Sequence, residues 1–109
     1  MQKVQVIMDE KKIQREGRYD AQKIWRAIDK VFVEKYGLTK AANGFYMESG
    51  EKDDFVDFWS AILLLKDQPW FMDNVETWLW FNSDDSSDSE DYAIEDIREH
   101  YLAQTRMTA

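Results

Sequence analysis

Polar and apolar residues alternate from Lys3 to Met8 (KVQVIM), which predicts a short strand at the start of the chain. The stretch from Asp9 to Arg18 is too charged to be read as core. The period then changes. Ile24, Trp25, Ile28, Val31, Phe32 and Tyr36 recur at three- and four-residue spacing and predict an amphipathic helix over 21–36. Its ends carry matching signals. Asp20 is placed to cap the first free amides, Tyr19 and Ile24 stand at hydrophobic-staple positions, and Gly37 ends the helix with Leu38 set to touch Val33. Lys23, Arg26, Lys30 and Lys35 fall on the outward face, so the exposed side of this helix is basic.

Turn signals at Asn43-Gly44 and Ser49-Gly50 bracket Phe45-Tyr46-Met47, a short strand. The next segment fits two patterns. Phe55, Phe58, Trp59, Ile62 and Leu63 make a helical stripe, while Trp59 to Leu65 is also an unbroken apolar run of buried-strand length. Pro69 biases the residue before it toward extended backbone, and the favoured reading is a helical turn near Asp54–Phe58 followed by a strand. Thr77 to Phe81 (TWLWF) has strong strand preference, with Trp78 and Trp80 on one face and Leu79 and Phe81 on the other. One small domain can hardly cover both faces, which points to a partner or a homodimer. A polar tract over 82–91 then leads into a helix over 90–104 with Ile94, Ile97 and Tyr101 as its stripe and Ser87 with Glu90 as a capping box. The tail over 105–109 is expected to fray.

The order strand, helix, strand, strand, strand, helix (β-α-β-β-β-α) predicts an α+β fold: one two-layer domain over 1–109. It would have a mainly antiparallel sheet of about four strands and two principal helices on one face. Composition agrees, since 44% apolar and 15% aromatic residues in 109 suffice for one core. No apolar run approaches the roughly 18 residues of a membrane span, and the N-terminus has no signal-peptide core, so a soluble, cytoplasmic protein is expected. The absence of cysteine removes disulfides, thiolate metal sites and cysteine nucleophiles.

Charge changes the picture most. The net charge is −8, but residues 1–40 hold ten Lys/Arg and six Asp/Glu, a balance of +4, whereas 41–109 hold four and sixteen, a balance of −12. From Asp73 to Glu99 there are ten acids and one base, Arg98. Such a segment attracts basic partners and would repel nucleic acid. Read purely as solubility, the same acids need no partner.

Specific chemistry finds little support. Asp84 to Glu95 places oxygen-bearing residues at positions 1, 3, 5, 7 and 12 of a calcium loop, but Ser89 stands where glycine is needed and Asp91 where an aliphatic belongs. No helix is predicted before it. His100 is the only histidine and no nucleophile motif accompanies it, while Asp53, Asp54, Asp57 and Asp73 are paired-carboxylate candidates only through the abundance of acids. Gly44 to Gly50 lacks the Lys-Ser/Thr of a phosphate loop. The expectation is no enzyme, no cofactor and no metal.

What remains is an interaction protein. The expected partner-binding set is the acidic loop 84–91 with its flank, namely Asp84, Asp85, Asp88, Glu90, Asp91, Glu95 and Asp96, joined by Trp78 and Trp80 as aromatic anchors. Electrostatic steering toward a basic protein, such as a nuclease or other nucleic-acid-binding protein, would precede aromatic anchoring. In size and charge balance the chain resembles the small acidic inhibitors of phages and mobile elements, including anti-CRISPR and anti-restriction proteins, and nuclease-immunity proteins. That resemblance is one of class, and no motif transfers a residue role. The alternative is a structural domain that homodimerises or holds a small molecule through its aromatic strands.

Overall fold

A pair of long strands, β1 (Gln2–Met8) and β4 (Val75–Asn82), forms the centre of the sheet in the computed structural model, which describes residues 2–50, 54–82 and 93–108. They pair antiparallel with Val4 opposite Trp80 and Val6 opposite Trp78. A register shift between Ile7 and Met8 sets Met8 opposite Val75, so Val4, Val6 and Met8 share the buried face with Val75, Trp78 and Trp80. On one side of this pair lie β3 (Phe45–Met47) and β2 (Thr39–Ala42), and on the other lies β5 (Ala93–Asp96). The five-stranded order is β2-β3-β1-β4-β5, every neighbouring pair antiparallel. The α+β two-layer reading holds, with one strand more than expected.

Among the described residues five α-helices accompany the sheet. The stretch read as too charged for core forms the helix α1 (Glu10–Glu16), in which Asp9 Oδ1 accepts from Lys12 N at 3.1 Å and Ile13, 2% exposed, supplies one core residue after all. The helix α2 (Ala21–Asp29) begins where expected, with Asp20 Oδ1 accepting from Gln22 N at 2.8 Å. It continues as a π-helical stretch, Lys30–Lys35, and closes through Gly37 N to Val33 O and Leu38 N to Phe32 O, both 2.9 Å. Ile24, Ile28 and Phe32 face the core while Lys23, Arg26, Lys30 and Lys35 are exposed.

Tyr46 locks this helix to the sheet. Its ring stacks on Phe32 with centroids 4.3 Å apart, and its buried hydroxyl donates to Asp29 Oδ1 at 2.6 Å. Lys40 Nζ takes the other carboxylate oxygen at 2.8 Å. Burial, and then the hydrogen bond and charge of Asp29, push the Tyr46 phenol far above its ordinary range.

The segment read as turn-then-strand is instead one helix, α3 (Asp54–Lys66). Phe58, Ala61, Ile62 and Leu65 are its buried side, and the apolar residues left outside erase the helical period that a one-sided helix would show. Pro69 opens a further single turn, α4 (Pro69–Met72), at the helix start where its missing N–H is harmless. The final helix, α5 (Ile97–Thr108), begins seven residues later than the expected 90, since Ala93–Asp96 pair with β4 as a strand. Asp96 Oδ1, accepting from Glu99 N at 3.0 Å, is its actual cap. The expected box at Ser87 and Glu90 falls outside the described residues.

Asp54 fixes the start of α3 to the preceding turn. Its Oδ1 accepts from Ser49 N (3.0 Å) and Ser49 Oγ (2.6 Å), and its Oδ2 from Gly50 N (3.0 Å). Burial raises its pKa, but these three hydrogen bonds outweigh burial and hold it below the ordinary 3.8. A depressed folded pKa adds stability that is complete above the unfolded value and disappears as pH falls through the folded one. Asp54→Asn should therefore lower stability at neutral pH and flatten the acid limb between about pH 5 and pH 2, as read from urea midpoints across pH. A parallel loss of stability in both proteins on acidification would overturn this role.

Candidate interaction surface

The buried residues of the described helices form one core cluster with the Val4, Val6, Trp78 and Trp80 face of the sheet. Trp78 (0% exposed) meets Phe71 of α4 edge-on at 4.7 Å and Tyr101 of α5 at 6.2 Å, while Trp80 (4%) lies 5.1 Å from Phe58 and 5.6 Å from Trp59 of α3. These two tryptophans therefore glue the helical layer to β4. They are core, and the expectation that they anchor a partner at the surface is corrected.

Strand alternation sends their neighbours to the opposite face. Lys3, Gln5 and Ile7 of β1 stand beside Thr77, Leu79 and Phe81 of β4, with Phe45 and Met47 of β3 on one flank and Ile94 and Asp96 of β5 on the other. Pairing fixes the rows: Met47, Lys3, Phe81 and Ile94 run across the sheet in one, and Phe45, Gln5, Leu79 and Asp96 in the next. Lys3 Nζ lies over the Phe81 ring, 5.2 Å from its centroid. Six of these ten positions are large and apolar. Ile7 and Ile94 are 41% and 61% exposed, and Phe45, Met47, Leu79 and Phe81 are half-buried. A solvated antiparallel face normally shows polar residues at these positions. Of this patch, Leu79 and Phe81 were visible in the alternation of TWLWF. Phe45, Met47, Ile7 and Ile94 emerge only once the register is known.

The acidic set divides. Asp84, Asp85, Asp88, Glu90 and Asp91 lie outside the described residues, in the connection between Asn82 and Ala93. Those two residues are themselves a ladder pair, so the acid-rich connection begins and ends side by side where β4 stops and β5 starts. Glu95 and Asp96 do not act together: Glu95 sits opposite Trp80 on the helix-bearing side, and Asp96 opposite Leu79 on the open side, with its carboxylate engaged as the α5 cap. The Tyr101 phenol is raised by burial, pulled down by Lys66 and pushed up by Glu95 and Asp67.

The basic helix face and the end of the chain lie at opposite edges of the sheet. The basic α2 and its π-helical extension pack toward the β2 edge, whereas β5 and α5 occupy the opposite edge. The ion pairs among the described residues, Lys40–Asp29, Lys66–Asp67 and Arg98–Glu99, leave Glu95 and Asp96 unpaired with the lysines of α2. His100 meets Gln104 at 3.1 Å and Tyr101 edge-on. No group of three or more metal-capable side chains occurs among the described residues, and no described helix is long and apolar enough to cross a membrane. A hollow of about 360 Å³ between Arg18, Tyr19, Lys23 and Trp70 sits on the basic side. In comparison with known proteins the chain matches no family model and no curated sequence.

Proposed function

We propose that this chain is a non-catalytic protein-binding module whose recognition surface is the open sheet face, with the acid-rich sequence between Asn82 and Ala93 steering a basic partner into place. The observation that supports this reading is the patch of Phe45, Met47, Leu79, Phe81, Ile7 and Ile94 on the sheet face opposite the one that shares the core with the helices. Exposed apolar area of this kind marks binding surfaces, and half-buried aromatics match the anatomy of an interface centre. Steering adds on-rate and selectivity, and apolar contact adds residence. A protein with a positively charged nucleic-acid groove has the complementary chemistry, so inhibition of a nucleic-acid-handling protein by occupying that groove is the specific form of the proposal.

Affinity capture from the native cell lysate tests it, with identification by mass spectrometry at low and high salt. A nucleic-acid-binding protein captured at low salt should be lost with Phe81→Glu and, separately, with simultaneous charge reversal of Asp84, Asp85, Asp88 and Asp91. High salt should weaken capture by slowing association. The same proteins retained by all three baits, each with the circular dichroism of the parent, would overturn the reading.

A further inference from the structure

The outer side of α3 is a second apolar surface, separate from the sheet face. Of the five large apolar residues that are exposed among the described ones, three lie on it: Phe55 (53%), Val56 (59%) and Leu63 (49%), with Trp59 half-buried beside them. Its other side is the core stripe of Phe58, Ala61, Ile62 and Leu65. A short helix that is apolar all round calls for cover on both sides.

The exposed stripe is its own complement. Val56 and Leu63 lie seven residues apart along its midline, and midway between them Trp59 and Ser60 flank that line on either side. Turning a second copy end for end sets Val56 against Leu63 of that copy at both ends, with Trp59 beside its counterpart on one flank and Ser60 beside its counterpart on the other. Serine is small enough to let the helices close on each other.

Charge fits the same arrangement. On the Ser60 flank, Leu64 opens into a groove of about 400 Å³ shared with Lys30, Val31, Glu34 and Lys35, two lysines to one glutamate. Asp57 lies on that flank at the other end of α3, so reversal carries it to the lysines of the second copy. Neither Asp57 nor Lys30 is in an ion pair among the described residues.

We infer that α3 is a two-fold homodimer interface, with each α3 packed end for end against α3 of a second copy. This pairing uses the helical layer and leaves both open sheet faces on the outside.

The chain contains no cysteine, which gives a clean test. Ser60→Cys should form a disulfide-linked dimer on mild oxidation, whereas Glu76→Cys on the exposed side of β4, treated identically, should stay monomeric. Sedimentation equilibrium should give the parent twice the 13.0 kDa chain mass. Leu63→Asp should return it to the single-chain mass, raising the dissociation constant at least about 100-fold by burying a charge twice at the two-fold contact, with an unchanged circular dichroism spectrum. Phe81→Glu should leave the dimer intact. A parent that is monomeric into the millimolar range, or a dimer that survives Leu63→Asp and is lost with Phe81→Glu, would overturn the inference.

Discussion

Replacing Trp78 by alanine should remove about 3 to 5 kcal/mol of stability, enough to unfold a substantial fraction of a domain whose total is of order 5 to 15 kcal/mol. The side chain is fully enclosed, with Phe71 edge-on at 4.7 Å and Tyr101 at 6.2 Å, so its loss opens a cavity at the junction of β4, α4 and α5. Trp78→Phe should cost far less. Its indole N–H has no hydrogen-bond partner among the described residues, and losing a buried unpartnered donor offsets part of the packing lost. Urea denaturation followed by far-ultraviolet circular dichroism measures both. An alanine variant with the parent midpoint would put Trp78 at the surface and reopen its assignment as a partner anchor.

Gly44→Ala should be the second severe change, at about 2 to 5 kcal/mol. Gly44 turns the β2–β3 hairpin with φ of +79°, and a Cβ there would fall 2.2 Å from the carbonyl oxygen of Val6. The obstacle is backbone, held close because Val6 N donates to Gly44 O at 2.7 Å, so no side-chain rotation relieves it. Gly17→Ala is the control. Its φ is also positive, at +66°, but nothing lies within 4 Å of the added carbon, so only the conformational penalty of about 1 kcal/mol remains. Equal midpoint shifts for the two variants would show that close approach to Val6 contributes nothing.

The legible parts of this fold were those where one side is buried and the other wet. The opening strand, the TWLWF strand and the helix from Ala21 announce themselves by clean period, and Asp20 caps as its position promises. The run from Trp59 to Leu65 misled because α3 also carries apolar residues on its outer side, which flattens the periodicity that would have named it a helix. Ile94 misled in the opposite sense. It fits the spacing of a stripe with Ile97 and Tyr101, yet it pairs with Phe81 across the sheet and is 61% exposed. For the surface, alternation alone separated Trp78 and Trp80 from Leu79 and Phe81 without saying which pair faces inward. That choice is made by register, since Val4 and Val6 oppose the tryptophans and Lys3 and Gln5 oppose the other two. Residue type had favoured tryptophan as the anchor, but size and an aromatic neighbourhood draw the same residue into a core.

The ladder pair of Asn82 with Ala93 has a bearing on how this chain can diverge. Because the sheet itself holds those two residues together, the intervening sequence is tethered at fixed ends whatever it contains. Doubling its length would add only about 0.6 kcal/mol of closure entropy. Insertions, deletions and wholesale changes of charge between these ends should therefore cost folding little, and a lineage can vary that sequence while its scaffold stays constant.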